Sequence, residues 1–420
     1  MRLSLSLLIT VASAAFLWTG RAQSAPPAAD YSKEGFVIQQ FSKHVVFAAD
    51  GTWQIEQTAS VRVQSDAGVQ QFGVLSFPYN HDSQKIEIDY VRVRKPDASV
   101  VETPADNVQD ISSEISRIAP TYSDLWEKQI PVKALGLGDV LEYKIRFSQF
   151  RPDIPGQFSF VYNFLTNAVV LSETLQIDVP AAKYVKLLSP RMKPEVREES
   201  GNKIYLWKTA QLEASQKAEK PKTKPKTDSA VPSVQLTTFK SWEEVGDWYR
   251  SLQKERVAVT PAIQAKADEL TKGLQTDSEK ERAIYNFVGT KFRYISLSFG
   301  VGRYQPHAGE EVLANQYGDC KDKHTLLAAL LKAAGIDAWP ALIGTERKLD
   351  EDIPSPAQFN HVITVVPGDK ERLWLDTTPE VAPFGLLTGV LRDRKALVIP
   401  ASGAPFLATT PADPAFAASR

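Results

Sequence analysis

Between residues 213 and 232 the pattern of this sequence changes abruptly. The stretch holds five lysines and three prolines and has no apolar period, so it cannot bury a core and should be an extended, solvated linker. Before it the sequence has the two-residue alternation of strands, and after it the three- and four-residue spacing of helices. We therefore expect an α+β chain with a β-rich domain over 31–212, a linker over 213–238, a second domain over 239–400 and a flexible tail over 401–420.

The first half of the chain has the pattern of antiparallel β-structure. Two alternating stretches between residues 41 and 63 meet at Asp50-Gly51, a dipeptide that is typical of hairpin turns. Over residues 141–147, apolar residues alternate with charged ones, as expected for a strand with one face buried. Several such strands, with little helical periodicity between them, predict an N-terminal β-sandwich-like domain.

Helix signals dominate the second half. Ser241 and Thr276 each begin a capping box, in which a hydroxyl and a glutamate three residues later accept hydrogen bonds from amides of the first turn. Thr260-Pro261 places proline at the first helical position, where its missing N–H does no harm. These signals predict three helices at the start of the second domain.

The N-terminus has the parts of a secretory signal: Arg2, an apolar stretch from Leu3 to Trp18, and small and polar residues up to Ala25. We expect residues 1–25 to be a signal peptide, and the mature protein to be periplasmic or associated with the cell envelope, with no transmembrane helix. An uncleaved anchor is the alternative, but the apolar run is short for the ~20 residues that a spanning helix needs. The net charge of −1 favours no nucleic acid partner.

Cys320 is the only cysteine, so no internal disulfide can form. It precedes a run of leucines at helical spacing that ends at Gly335, so we place it at the N-terminus of a largely buried helix. The free amides there stabilise a thiolate. Lys321 and Lys323 also favour the thiolate, and the neighbouring aspartates disfavour it. We expect the helix N-terminus to have the larger effect on the thiolate, because solvent screens the charges of long lysine side chains. A small buried apolar residue is the alternative role for the cysteine.

A predicted hairpin brings His361 and Asp376 together. His361 begins an alternating strand that ends at Pro367-Gly368, and Asp376 follows the next short strand. Antiparallel pairing places the start of the first strand beside the end of the second. The two side chains should therefore be neighbours, whereas the sequence alone does not show that Cys320 faces them.

Four blocks around these residues resemble the bacterial transglutaminase-like superfamily. They are Tyr304-Gln305-Pro306, residues 317–323 (YGDCKDK), residues 359–362 (FNHV) and residues 374–378 (WLDTT). The resemblance covers about residues 240–400 and implies a papain-like core, in which a helix N-terminus carries the cysteine and a sheet carries the histidine and aspartate. The β-rich half resembles, more diffusely, the uncharacterised domain that often precedes this core in envelope proteins.

The resemblance implies a catalytic triad. Cys320 would be the nucleophile, His361 the general acid and base, and Asp376 the residue that orients the imidazole. The Cys320 N–H would hold the oxyanion, with Gln305 as a weaker candidate donor that could equally be a loop residue bonded to its own backbone.

The implied chemistry is acyl transfer or hydrolysis at an amide through a thioester on Cys320. A peptidase, an amidase and a protein cross-linking enzyme all fit, with a polypeptide or peptide amide as the substrate. The alternative is a non-enzymatic envelope scaffold or peptide-binding protein that uses the same fold. No metal motif or glycine-rich phosphate loop is present in the sequence, so we expect no cofactor.

Overall fold

The computed structural model describes residues 30–114, 124–213, 232–295, 304–368 and 371–413. The predicted signal peptide lies outside these ranges. The chain divides into two compact units, residues 1–33 and 34–420. All that follows concerns the second unit.

The β-rich domain consists mainly of strands and includes a short helix, α1. Its elements in chain order are β1 (Phe36–Phe47), β2 (Trp53–Val63), α1 (Asp66–Phe72), β3 (Val74–Asn80), β4 (Gln84–Arg94), β5 (Val100–Glu102), β6 (Gln109–Ser112), β7 (Leu125–Pro131), β8 (Val140–Gln149), β9 (Ser159–Tyr162), β10 (Val170–Pro180), β11 (Lys186–Leu188), β12 (Glu195–Glu199), β13 (Asn202–Gln211) and β14 (Val234–Thr237).

One large sheet and two small ones form two layers. The large sheet has the order β12-β13-β10-β1-β2-β8-β4-β5, and the small ones have the orders β3-β7-β6 and β11-β14-β9. Ala59 and Val61 of β2 share a core with Leu75 of β3, whereas Ile55 of β2 packs in another core with Leu236 of β14. Residues 55, 59 and 61 lie on one face of β2, since side chains alternate along a strand. Both small sheets therefore cover the same face of the large sheet, and the predicted sandwich-like domain is confirmed.

The second domain combines helices with a five-stranded sheet. Its elements are α2 (Trp242–Gln253), α3 (Pro261–Thr271), α4 (Asp277–Lys291), β15 (Arg293–Tyr294), α5 (Gly309–Asn315), β16 (Tyr317–Gly318), α6 (Cys320–Ala333), β17 (Trp339–Ile343), β18 (His361–Val366), β19 (Leu373–Leu375), β20 (Lys395–Val398) and β21 (Phe406–Thr409). The sheet order is β19-β18-β17-β20-β21. A 3₁₀ turn, Pro356–Gln358, precedes β18. The predicted helices at Ser241, Thr260 and Thr276 begin at those caps.

Helix α6 is the centre of the second domain. Its leucines at 326, 327, 330 and 331 are fully buried, and they pack against α3, α4, α5 and the sheet. Helix α2 lies elsewhere in the domain and packs with Leu342 and Leu397 of the sheet. Ile154 of the β-rich domain belongs to that same core. Contacts therefore hold the two domains together beside the N-terminus of α6. Within the described residues, no helix combines the length and apolar character that crossing a bilayer requires.

The predicted linker over 213–238 is wrong at its C-terminal end, because β14 lies within it. β14 is the central strand of its small sheet, and all four of its residues are buried. Four residues next to a Lys/Pro-rich stretch carry too short a pattern to be recognised, and pairing on both sides is what orders them. Residues 214–231 lie outside the described residues, so that part of the linker stays a prediction.

The predicted flexible tail over 401–420 is also wrong in part. Strand β21 pairs with β20 from Lys395↔Thr409 to Val398↔Phe406 and completes the sheet of the second domain. The Ala, Pro and Thr content of this region concealed a strand that backbone pairing stabilises. Residues 414–420 lie outside the described residues.

Candidate active site

Cys320 is the first residue of α6, and Asp319 caps this helix. The Asp319 carboxylate accepts hydrogen bonds from the N–H groups of Lys321 (3.0 Å) and Asp322 (3.2 Å). The Asp322 carboxylate in turn accepts one from the Asp319 N–H (3.3 Å). Among the described residues, the Cys320 N–H has no such partner. A free amide beside the sulfur, at the positive end of a helix, is suited to hold a negatively charged oxygen.

The charged residues around Cys320 are buried, whereas the sequence led us to expect solvent-screened lysines. Lys321 forms an ion pair with Asp319, and their side chains are only 7% and 5% exposed. Burial opposes the charge of Lys321, but Asp319 and Asp322 outweigh that effect and raise its pKa. Lys323 donates instead to two main-chain carbonyl oxygens at the end of α4. Burial lowers the Lys323 pKa to about 8.

Asp322 also holds the loop that precedes α5. It accepts a hydrogen bond from the His307 N–H (2.8 Å) and lies 3.2 Å from His307 Nδ1. Position 318 beside Asp322 requires a glycine, because a Cβ at this position would lie 2.6 Å from the Asp322 Cβ. The residues of the YGDCKDK block therefore fix one another around the end of α6.

His361 and Asp376 meet at the predicted hairpin. Strands β18 and β19 pair with Thr364 opposite Leu375, and His361 Nε2 lies 3.2 Å from Asp376 Oδ2. Asp376 also accepts hydrogen bonds from the N–H (3.0 Å) and hydroxyl (2.8 Å) of Thr378. The predicted hairpin is confirmed, and it brings the two side chains together.

The structure also brings Cys320 to this pair. Cys320, His361 and Asp376 line the same cavity, and His361 interacts with both of the others. Burial alone lowers the His361 pKa, but its contacts with Asp376 and Cys320 outweigh burial and raise it to about 10. Burial raises the Asp376 pKa, but the contacts with His361 and Thr378 reverse that effect and hold it below its usual value. These contacts favour a charged His361 imidazole.

A cavity of about 630 Å³ opens over these residues. Cys320, His361 and Asp376 line it together, with Tyr249 of α2 and Tyr304 before α5. The cavity thus gives a substrate access to the sulfur and to the imidazole. Within the described residues, no group of three or more His, Cys, Asp or Glu side chains could hold a metal ion.

Gln305, the weaker candidate for an oxyanion donor, is not among the residues that line this cavity. Its side chain is exposed, and its neighbour Tyr304 lines the cavity instead. The sequence motif placed the correct segment beside Cys320. Which residue of a loop faces inward depends on its backbone path, which the sequence does not reveal.

Sequence reasoning missed Tyr249. Tyr249 is among the residues that line the cavity, its side chain is 1% exposed, and its buried hydroxyl has no hydrogen-bond partner in the described structure. Burial, followed by the negative charges of Cys320 and Asp319, raises the Tyr249 pKa well above its ordinary value, so the hydroxyl keeps its proton. A buried donor without an acceptor is unfavourable unless something else uses it. No local signal could have distinguished this tyrosine from the other aromatic residues of α2.

His324, one turn after Cys320, serves a different purpose. Its Nδ1 lies 2.7 Å from the Thr364 hydroxyl, and burial lowers its pKa to about 3, so it is neutral. It is not among the residues that line the cavity. We therefore assign His324 to the packing of α6 against the sheet.

Two family models match the chain. Residues 264–375 match the transglutaminase-like superfamily, and residues 49–216 match DUF3857, a domain of unknown function with a solved structure. The first match contains Cys320 and His361 and ends one residue before Asp376. The predicted transglutaminase-like core and its preceding β-rich domain are confirmed. A search of the curated proteins finds no match.

The fold is similar to that of a crystal structure from Parabacteroides distasonis described as "a putative protease". The two share 19% sequence identity with a TM-score of 0.72, over 90% of this chain and 72% of that one. At this identity the similarity shows a common fold. An M1 zinc metallopeptidase from Deinococcus radiodurans matches 48% of this chain and 42% of its own, at 10% identity and a TM-score of 0.25, which is too low to support an argument.

Proposed function

We propose that this chain, whose second domain is transglutaminase-like, is a thiol enzyme that transfers the acyl group of a peptide amide through a thioester on Cys320. One observation carries the proposal. Cys320 lies at a helix N-terminus, His361 lies 3.2 Å from Asp376, and all three side chains line one cavity. The membership of residues 264–375 in the transglutaminase-like superfamily supports the same class of reaction.

In the first step, the Cys320 thiolate attacks the amide carbonyl carbon, a C–S bond forms and the carbonyl oxygen becomes an oxyanion. The free Cys320 N–H and the unpartnered Tyr249 hydroxyl are our candidate donors to that oxygen. The His361 imidazolium then gives its proton to the amide nitrogen as the C–N bond breaks. The products of this half are a thioester and a free amine.

In the second step, neutral His361 takes a proton from an incoming nucleophile, which attacks the thioester carbonyl. The C–S bond breaks, the thiolate leaves, and His361 returns to its charged form. Asp376 keeps the ring oriented and stabilises that charge throughout. Water as the nucleophile gives a peptidase or amidase, and a primary amine gives cross-linking, because both reactions share the thioester.

We also propose that the protein is exported and acts in the periplasm or at the cell envelope. The support is the signal-like pattern of residues 1–25. N-terminal sequencing of the protein recovered from osmotic-shock fluid tests this proposal. An N-terminus near Ala25 is expected, whereas an intact Met1 in the cytoplasmic fraction would contradict export.

The test of the catalytic proposal uses the single thiol of the chain. We expect iodoacetamide to alkylate Cys320 of the mature protein much faster than free cysteine at neutral pH, and His361→Ala to remove the difference. His81→Ala is the matched control, because His81 is exposed and lies outside the cavity. Equal alkylation rates for all three proteins would contradict an assembled Cys–His pair.

Casein then serves as a polypeptide substrate. New amino termini report hydrolysis, and incorporation of monodansylcadaverine reports amine transfer. Cys320→Ala should abolish whichever reaction occurs. Activity that survives in this variant would contradict the thioester mechanism, whereas a wild-type protein without activity would favour a scaffold.

A further inference from the structure

A second cavity lies between the two domains. We call it the interdomain groove; its volume is about 510 Å³. One wall consists of Ser159–Val161 of β9 with Gly51 and Trp53 of the β1–β2 hairpin, and the opposite wall includes Arg347 and Ala357 of the second domain. The groove therefore combines surfaces that neither domain supplies alone.

The interdomain groove is adjacent to the cavity that contains Cys320. Tyr304 and Glu346 line both spaces. At the 3₁₀ turn before β18, Pro356 lines the cavity and the next residue, Ala357, lines the groove. A chain that leaves the catalytic cavity on this side would therefore enter the groove.

One wall of the groove is the free edge of a sheet. β9 pairs only with β14, with Val161 opposite Gln235. Just before the start of β9, the Phe158 carbonyl oxygen accepts a hydrogen bond from the Thr238 N–H (3.1 Å). The even-numbered residues of β9 therefore direct their backbone N–H and C=O groups toward β14. In antiparallel geometry the backbone N–H and C=O groups of Ser159 and Val161 then point away from β14. Within the described residues these groups have no hydrogen-bond partner.

The second domain is anchored to the same small sheet. Arg347 donates a hydrogen bond of 3.0 Å to the side-chain oxygen of Gln235 on β14. The 3₁₀ turn at 356–358 lies close to β9, and its Ala357 lines the groove. Ser159 and Val161 also line the groove, where the apolar Val161 side chain is 37% exposed. An edge strand that simply faces water is usually blunted by charge or proline, and β9 has neither.

We propose that the free edge of β9 binds an extended polypeptide substrate as an added strand, in line with Cys320. The inference rests on the proposed function and specifies its substrate class. Ser159 and Val161 offer up to four backbone hydrogen bonds, which recognise any extended chain regardless of its sequence. Small amides would occupy the catalytic cavity alone and gain nothing from the groove. The β-rich domain is thus the substrate-binding part of the enzyme.

The test blocks one backbone donor on β9. Val161→Pro removes the outward N–H while leaving the bonds to β14 in place, since proline is tolerated at free edges. Val196→Pro is the matched control. Val196 is an exposed valine on the edge strand β12 and lines neither cavity. A two-residue turn at Ser200 and Gly201 joins β12 to β13, and the resulting register places the Val196 N–H on the side away from β13.

We expect Val161→Pro to raise the KM for casein at least tenfold, with the rate of Cys320 alkylation by iodoacetamide within twofold of wild type. Val196→Pro should match the wild type in both measurements. Equal KM values for the two proline variants would overturn the inference. Wild-type protein whose Cys320 is alkylated rapidly but which leaves casein untouched would also overturn it, while the Cys–His pair of the proposed function would stand.

Hydrogen exchange decides the question even if Val161→Pro fails to fold. In Cys320→Ala, the amides of 159–162 that face the groove should exchange rapidly in the free protein and slowly once casein is added. Protection already present in the free protein would mean that the chain itself, such as residues 214–231, covers the edge, and would refute the proposal. If wild-type Cys320 is alkylated slowly but casein protects the amides of β9 from exchange, the proposed catalysis is contradicted and the proposed binding site is supported.

Discussion

The outer face of the large sheet and the N-terminus of α6 both carry groups of opposite charges, but in different surroundings. On the sheet, Arg146 of β8 lies 2.8 Å from Asp89 of β4, and the two side chains are 53% and 25% exposed. At α6, Lys321 and Asp319 are almost fully buried. Water screens the first pair, whereas the second pair has no water to replace a lost partner.

This difference shows where charge controls chemistry in the molecule. The exposed ion pairs lie on strands with one solvent-facing side, and substitutions in them leave the interior unaffected. The buried charges lie at the end of the helix that presents Cys320, and the His361–Asp376 pair, 10% and 3% exposed, lines the same cavity. Protonation at the candidate site is therefore set by fixed neighbours rather than by solvent.

The largest effect should come from Asp376→Asn. We expect kcat to fall by about 10³–10⁴-fold, because the imidazole loses its orienting carboxylate and the charge that stabilises imidazolium. In the native protein the His361 pKa is about 10, so reactions that need imidazolium should decline only as pH rises through that value. In the variant the decline should begin at lower pH. NMR titration of the His361 ring measures the shift directly, and an unchanged pKa would contradict the role of Asp376.

Lys321→Met tests the buried pair. Removal of the cation leaves the buried Asp319 carboxylate without its ion-pair partner, so we expect the second domain to lose about 3–5 kcal/mol of stability. Urea unfolding followed by tryptophan fluorescence measures the loss. Lys332→Met is the control, because Lys332 lies on the same helix and is exposed. Similar unfolding midpoints for the two variants would show that the buried pair does not stabilise the helix end.

Tyr249→Phe tests the unpartnered hydroxyl. If the hydroxyl holds the oxyanion, kcat should fall by about 10²-fold while the KM for casein changes little. Folding should be unaffected or slightly improved, because a buried donor without an acceptor is removed. A wild-type kcat would leave the Cys320 N–H as the single oxyanion donor proposed here.

The smallest effect should come from Arg146→Ala on the outer face. We expect no measurable change in the urea midpoint of the β-rich domain, because exposed ion pairs contribute little and are screened by salt. Activity toward casein should also be unchanged. A clear loss of stability would mean that the charge ladder across β2, β8 and β4 acts as a network, and would weaken the contrast with α6.

Much of the candidate site could be predicted because its signals are local. A helix start at Cys320, a turn at Pro367-Gly368 and a strand end at Asp376 each depend on a few neighbouring residues. The hairpin then required His361 to meet Asp376. The role of Gln305 could not be decided from the sequence, because a loop has no period from which the inward-facing residue could be read.

The sequence by itself determined the order of the domains, the helix caps and the strands with one buried face, since hydrogen bonding and burial within short segments select them. Only the tertiary structure decided what lies next to Cys320. Tyr249 lines the cavity because α2 packs on the sheet. β14 and β21 are strands because they form backbone hydrogen bonds with other strands, β9 and β20. The interdomain groove likewise arises from two packed domains. These features depend on contacts between residues that are far apart in the chain, and such contacts leave no local pattern.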